Sequence, residues 1–398
     1  MAVLGTARFA FGMVLPSMRE GLSLSYAQVG WISTGNFFGY LIGASRAGAL
    51  SGRWGPRAVV AAALGLISVA LASVSLSSGF WAALLLFTTV GLGSGAGNVS
   101  MVGMLSRWFL RSIRGWAAGL VVAGIGLGLM VSGVLVPAVN ASVGPGSGWR
   151  VSWRIMALLI ALVAVLAALA LRDNPGQVGL NPLGQDEKPE PNQQAAQFPA
   201  IEPVSPAPTV VSTRRTTIVL GLIYAMYGFG YAIYATFIVT TLVEQRGLAE
   251  TSAGWIWFVV GLLSLFCGTF AALSDRIGRK RGLAIVFALH AVAYLIVGFQ
   301  LPGASLYLSV LLFGVAAWSV PGIMGATVGD YMPPEHAVRA LGAITIVFGI
   351  GQAAGPAIAG ILGERTGGFA SSYLLAAAAA IIGAIGSLAM RQPGARTH

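Results

Sequence analysis

The hydrophobic positions of this chain fall into twelve long runs, at 2–18, 27–50, 57–77, 79–105, 114–140, 152–171, 216–243, 252–273, 282–299, 304–328, 338–362 and 369–390. A helix of about 20 apolar residues carries the chain through the ~30 Å hydrocarbon core of a bilayer. No water reaches backbone N–H and C=O groups there, so each run must satisfy its own backbone as a helix. Most gaps are a few residues long and force neighbouring helices antiparallel. The gap at 172–215 differs: it is polar, proline-rich and poor in apolar residues. Such a segment buries too little surface to fold alone and reads as a flexible linker. The pattern predicts an all-α polytopic membrane protein with twelve transmembrane helices. Residues 1–171 form one six-helix bundle, 172–215 a cytoplasmic linker, and 216–398 a second six-helix bundle.

Composition agrees with lipid as the solvent. Hydrophobic residues make up 56% of the 398 positions and charged residues 9%, against about 25% charged in soluble domains. The net charge of +11 would suggest nucleic acid on a soluble protein, but here the basic residues sit in the gaps between runs. With both termini cytoplasmic, the inner side receives Arg46, Arg53, Arg57, Arg107, Arg111, Arg114, Arg172, Lys188, Arg214, Arg215, Arg276, Arg279, Lys280, Arg281, Arg339, Arg391 and Arg396. The outer side receives Arg19, Arg150, Arg154, Arg246 and Arg365. This imbalance places both ends inside a bacterial cytoplasmic (inner) membrane and favours twelve spans over eleven. The opening stretch lacks the charged region of a signal peptide, and Arg8 interrupts it, so it reads as the first membrane helix. The single cysteine, Cys267, lies in an apolar run and reads as a small filler.

The halves repeat. Gly52-Arg53-Trp54-Gly55-Pro56-Arg57 follows run two, and Asp275-Arg276-Ile277-Gly278-Arg279-Lys280 follows run eight, at the matching place in the second half. Arg114 precedes Gly124-Ile125-Gly126 by the same interval at which Arg339 precedes Gly349-Ile350-Gly351. Two signatures at nearly one offset indicate an internal duplication of the kind many transporters use. Residues Ala271 to Lys280 resemble the G-x-x-x-D-R-x-G-R-R inner-loop motif of the major facilitator superfamily, with alanine at the first glycine. Residues Gly48 to Arg57 resemble its first-half copy, with Gly52 at the acid's place. Arg8-Phe9-Ala10-Phe11-Gly12, Tyr227-Gly228-Phe229-Gly230-Tyr231 and Phe348-Gly349-Ile350-Gly351-Gln352 resemble its YbfB/YjiJ-type bacterial branch. Ser106-Arg107-Trp108-Phe109 with Arg114-Gly115 is also similar to oxalate/formate and monocarboxylate porters. The resemblance implies two pseudo-symmetric bundles, and gating of the inner face by Asp275, Arg276 and Arg279 with Arg53 and Arg57. The competing reading of these basic loops is topology alone.

Several residues inside the runs can bear on a substrate. A guanidinium at the position of Arg8 costs about 2.5–3.5 kcal/mol on insertion scales, so it needs a wet cavity or a partner. No Asp or Glu lies deep in any run, which leaves an anionic substrate as one partner. Two other readings stand: Arg8 snorkels to the nearby surface, or carbonyls and polar side chains hold it. Tyr224, Tyr227, Tyr231 and Tyr234 span an arc of about 80° on run seven, either facing a cavity or packing against another helix. Asn36 and Tyr40 share a face of run two, Asn98 lies in run four and Gln352 in run eleven; each bonds substrate or a neighbouring helix. His290 reads as structural. Gly124 and Gly128 form a G-x-x-x-G face, and Gly91, Gly93, Gly95 and Gly97 crowd run four, for close helix approach, static or sliding.

The sequence carries no phosphate loop, paired carboxylates, H-E-x-x-H or nucleophile elbow. These observations predict no enzyme, no cofactor and no metal, but a transporter moving a small organic solute, with a lean to organic anions, by alternating access. Efflux of amphipathic or aromatic compounds is the second reading, and a non-transporting membrane sensor or scaffold the third. The expected partners are a small-molecule substrate and the lipid bilayer, with no nucleic acid, no obligate protein partner, and a monomeric unit.

Overall fold

The computed structural model describes residues 2–184 and 213–390. Twelve helical segments follow in order. We number them α1 (a π-helical Ala2–Phe9 running into Phe11–Gly21), α2 (Tyr26–Trp54), α3 (Pro56–Val74), α4 (Phe80–Trp108), α5 (Arg111–Val143) and α6 (Pro145–Ala170). The second set is α7 (Thr213–Thr240, ending in a π-helical Thr241–Gln245), α8 (Glu250–Leu263 and Gly268–Ile277), α9 (Arg279–Gly298), α10 (Gly303–Ala316 and Ser319–Tyr331), α11 (Pro334–Thr366) and α12 (Ala370–Ala389). Among the described residues, nine are long and apolar enough to cross a bilayer, and α8 is a tenth as a pair bent by 40°. The two left over are α1, divided by its π segment, and α2, diluted with Ser, Thr, Asn and Gly.

Local chemistry sets the ends. Ser25 and Gln28 form a capping box at the start of α2, which satisfies two orphan N–H groups. Gly55 and Gly278 break the chain at φ +82° and +91°, a region that favours glycine. They occupy the same turn in each half, between the second and third helices of the bundle. The helices extend a few residues past most apolar runs. Side chains such as Val69, Leu85, Leu158 and Leu169 point outward and exposed, which lipid tolerates.

The linker departs from expectation at both ends. Leu183 N–H donates to Trp108 O at 2.9 Å, and Leu110 N–H donates to Leu183 O at 3.0 Å. Trp108 Nε1 donates to Arg172 O at 2.9 Å. The first part of 172–215 is thus pinned to α4, and α7 begins at Thr213, inside the expected linker. Its middle, with Lys188, and the tail with Arg391 and Arg396 lie outside the described residues.

Within the first half, α2 and α4 meet through Gly39, Gly43, Gly91 and Gly95, where any Cβ would collide with the facing backbone. The two halves meet through α1 with α7, α2 with α11, and α5 with α8. Here too glycines oppose one another: Gly30 against Gly360, Gly133 against Gly254, and Gly126 against Gly261. Both contacts with α2 and α8 pair the second helix of one half with the fifth helix of the other, so the halves meet through equivalent helices.

The contacts between halves are confined lengthwise. One end of the molecule, the basic end, carries Arg53, Arg57, Arg276 and Arg279. At the opposite end Arg19 donates to Glu244 through Nε (3.0 Å) and Nη2 (2.8 Å). Tyr26 Oη donates to Glu244 at 2.8 Å and Tyr26 N–H to Glu364 at 2.8 Å. Asn140 Nδ2 donates to Glu250 at 2.6 Å. Nearer the middle, the Ser33 and Thr236 hydroxyls bond at 3.1 Å and Thr34 donates to Ala353 O at 2.6 Å. Towards the basic end the halves part: Gly48 and Gly52 on α2, Gly119 on α5, Gly268 on α8 and Gly342 on α11 have no atom within 4 Å of a would-be Cβ. The molecule is closed at the carboxylate end and splayed at the basic end.

Candidate functional site

Three helix irregularities meet midway along the molecule. In α1, Ala10 N–H reaches Gly5 O at 3.0 Å, the wide turn of a π segment, a form found often at functional sites. α8 breaks at Ser264–Phe266 and α10 breaks at Ala317 and Trp318. Free backbone groups at these breaks find side chains. Trp318 N–H donates to Cys267 Sγ at 3.4 Å, Ser319 Oγ to Cys267 O at 3.0 Å, and Tyr227 Oη to Ala317 O at 2.5 Å. Phe9 sits edge-on to Trp318, with ring centroids 5.4 Å apart. Cys267 is buried and caps the break, more than a filler.

Arg8 projects from the π segment into the interface. It is 7% exposed, so it does not snorkel. Its guanidinium carbon lies 4.2 Å from the Phe37 ring centre, 4.4 Å from Tyr40 and 5.5 Å from Phe9. The rings return part of the lost hydration through their quadrupoles. Arg8 Nε and Nη2 have no hydrogen-bond partner among the described residues. These two nitrogens form one edge of the guanidinium, the fork that grips a carboxylate with two parallel bonds. Arg19 displays the filled version on Glu244. Beside Arg8, beneath the Ser33–Thr236 bridge, is a cavity of about 20 Å³ that Asn36 and Phe37 also line, room for about one water.

The tyrosine stripe divides. Tyr224, Tyr227 and Tyr231 stack with Phe348 of α11: centroids are 4.2 Å apart for Tyr224–Phe348, 4.8 Å for Tyr227–Tyr231 and 6.2 Å for Tyr231–Phe348, at interplanar angles of 19°, 20° and 6°. Tyr231 is 6.4 Å from Phe9 and within electrostatic reach of Arg8 and Tyr40. Tyr234 points elsewhere. It stacks on Phe313 at 4.1 Å and bonds Ser309 at 2.9 Å, inside the second half. Tyr234 lies only about 20° around the helix from Tyr227, so its separate environment comes from the neighbours it meets, Phe313 and Ser309 of α10.

Of the other candidates, Tyr40 and Asn98 are half-buried and bonded to each other, Nδ2 to Oη at 3.0 Å. Asn36 donates to Phe87 O at 3.0 Å, a bond between α2 and α4. Gln352 is 1% exposed, one turn from Phe348, and its Oε1 has no partner among the described residues. His290 is buried between Tyr227, Tyr294 and Phe313, with Nδ1 2.8 Å from Val286 O, inside the second half. Gly128 and Gly124 face Gly5 of α1, whereas Gly126 and Gly133 face α8.

The loop motifs lie within their own halves here. Arg279 binds Asp330 of α10 (Nε to Oδ2, 2.6 Å), Ser274 (2.9 Å) and Asp275. Arg57 donates its backbone N–H to Asp173 at 2.7 Å and its Nε to Ala168 O at 3.0 Å. Asp173, from the end of the first bundle, meets the backbone N–H at the start of α3, whereas Asp275 meets the guanidinium of Arg279. Arg53 and Arg276 are exposed, and Arg53 lies over Trp54. Sequence reasoning missed Asp173 and Asp330, which approach from 116 and 51 residues away. It also missed Phe9, Phe37, Phe348 and Trp318. Phe9 and Phe348 stood inside quoted motifs; Trp318 depends on the α10 break, which no local pattern announced.

Comparison with known proteins agrees with this architecture. The family described as "Uncharacterised MFS-type transporter YbfB" matches residues 1–388. The hexuronate transporter of Bacillus subtilis is 23% identical, over 97% of this chain and 91% of its own length. The gentisate transporter of Corynebacterium glutamicum is 25% identical, over 94% and 82%. The crystal structure of a D-xylose–proton symporter shares the fold at a TM-score of 0.74, with 16% identity, over 100% of this chain and 98% of that one. Twelve helices in two related bundles, parted at one end around a midway site and matched end to end by this family, make the chain a member of the YbfB-type family of the major facilitator superfamily: a membrane transporter, not an enzyme, that moves a small organic solute by alternating access.

Proposed function

We propose that this chain carries small organic anions across the bacterial cytoplasmic membrane as a single-chain unit, with Arg8 as the counter-ion of the substrate's carboxylate. The observation that carries the reading is the Arg8 fork, buried, framed by rings, and without an acid partner among the described residues. A buried charge without a partner is costly, and a carboxylate arriving there removes that cost. Two of the relatives, a hexuronate and a gentisate transporter, are named for anions. The basic end faces the cytoplasm by the positive-inside rule, with both termini there, so the conformation described is open inward. An anion entering from that side meets Tyr40 and Asn98, then Arg8, with Tyr224, Tyr227, Tyr231 and Gln352 on the facing half. Asn36 and Tyr234 act by holding helices. Asp275, Arg276 and Arg279, with Arg53 and Arg57, steady the helix ends that approach when the inner side closes.

Counterflow in proteoliposomes, over a panel of carboxylates, sugars, amino acids and cationic drugs, tests this. Hydrogen bonds to a charged group are worth about 1.5–3 kcal/mol, so Arg8→Ala lowers uptake of every accepted anion about tenfold or more, with partial recovery in Arg8→Lys. Unchanged anion transport by Arg8→Ala, or a panel in which only cations or neutral drugs are carried, ends the proposal.

A further inference from the structure

Resting on the anion reading above, we propose that the substrate is a flat, ring-bearing monocarboxylate, with its carboxylate on the Arg8 fork and its ring against the Tyr224–Phe348–Tyr231 plate.

The argument starts from which polar groups remain free around Arg8. Ser33 and Thr236 bond each other. Asn36 is spent on Phe87 O, Asn98 on Tyr40, and Tyr227 on Ala317 O. Buried without a partner among the described residues are the Arg8 edge and the Gln352 amide oxygen; Asn36 and Asn98 keep their amide oxygens and Tyr40 its O–H, on the Arg8 side. A sugar acid carries a hydroxyl on nearly every carbon, and each one buried without a partner costs free energy. The ring-lined wall of Tyr224, Phe348 and Tyr231 offers few such partners. A compact ligand with one charged end and one ring needs only what is present.

The facing wall supplies the other half. Tyr224, Tyr227, Tyr231 and Phe348 lie nearly parallel, with interplanar angles from 6° to 20° across the four rings. Tyr224 and Phe348 cover one face of each other, as do Tyr227 and Tyr231; the outer faces that this stack leaves are what a flat ring meets by offset stacking and a puckered ring does not. Phe37 and Tyr40 lie against the guanidinium, and its unpartnered Nε–Nη2 edge is where a carboxylate makes two parallel bonds. The plate belongs to α7 and α11 and the fork to α1. One ligand that touches both therefore ties the two halves, as a substrate must when the molecule changes which end is open. Gln352, a turn from Phe348, gives a second polar point for a ring hydroxyl or ring nitrogen.

Equilibrium dialysis of the purified full chain tests this with five probes: benzoate, nicotinate, cyclohexanecarboxylate, glucuronate and benzamide. Benzoate and nicotinate are expected to bind at least tenfold tighter than cyclohexanecarboxylate, which has the same charge and similar size but no flat ring. Benzamide, with the ring and no charge, binds at least tenfold more weakly than benzoate. Phe348→Leu removes the preference for the flat ring and leaves the carboxylate requirement; Tyr224→Leu serves should Phe348→Leu fail to fold. If cyclohexanecarboxylate or glucuronate binds as tightly as benzoate, and Arg8→Gln abolishes that binding, the ring assignment is wrong while the anion reading stands. If no probe binds in an Arg8-dependent manner, both fail.

Discussion

Glu244 holds the carboxylate end shut, and its removal should change which end of the molecule is open. It accepts three hydrogen bonds from the first half, from Arg19 Nε, Arg19 Nη2 and Tyr26 Oη, at 2.8–3.0 Å. Side-chain exposure of the ion pair is 28% for Arg19 and 18% for Glu244, so water screens it only in part. Exposed pairs contribute about 0.2–1 kcal/mol and shielded charged hydrogen bonds about 1.5–3 kcal/mol. This one belongs between, at about 1–2 kcal/mol. Glu244→Gln keeps size and one acceptor but loses the charge, and Arg19 remains over the Tyr26 ring at 4.6 Å. The contact exists only while this end is closed. Its loss therefore shifts the equilibrium away from the basic-end-open state by about 5- to 30-fold. Spin labels at Ser78 and Ala304, both exposed at that end on opposite halves, report the change by pulsed electron resonance. The native Cys267 is buried and should not take label. The expected result is growth of a longer-distance population in Glu244→Gln. An unchanged distance distribution in a folded variant refutes the claim that this carboxylate locks the end.

Gly254→Ala should impair transport, because its Cβ would press on Gly133 O and Pro137 Cγ at the α5–α8 contact. The strain is about 1–3 kcal/mol and acts only while that contact is closed. Gly268→Ala on the same helix, with nothing within 4 Å, is the control, and proteoliposome uptake separates them. Asp173→Ala should lower the thermal unfolding midpoint in detergent by removing the acceptor for Arg57 N–H at the start of α3, a loss of about 1 kcal/mol; Asp173→Asn should lie near wild type. Tyr234→Phe should cost about 1 kcal/mol of stability through its Ser309 bond and leave anion affinity unchanged. A change in affinity without a change in stability would put Tyr234 on the path after all.

The run pattern alone determined that lipid is the solvent, that there are twelve helices, and roughly where each begins. Burial in hydrocarbon leaves the backbone one solution, so length and apolarity suffice. The repeat of two signatures at a shared offset determined that the halves are related, since one sequence signature folds to one local turn, as Gly55 and Gly278 do with nearly equal dihedral angles. Arg8 stood out for the same reason, an intrinsic cost that something must offset. Tertiary structure decided what sat around it. Whether a tyrosine stripe faces a path or a core depends on which helix packs beside it: Phe348 of α11 stacks with Tyr224 and Tyr231, and Phe313 of α10 stacks on Tyr234. The acid that serves Arg57 came from Asp173, across 116 residues, and the Arg19–Glu244 pair spans 225. Pairings of that kind arise only when two bundles meet, because the energy lies in contact geometry and not in any local stretch of chain.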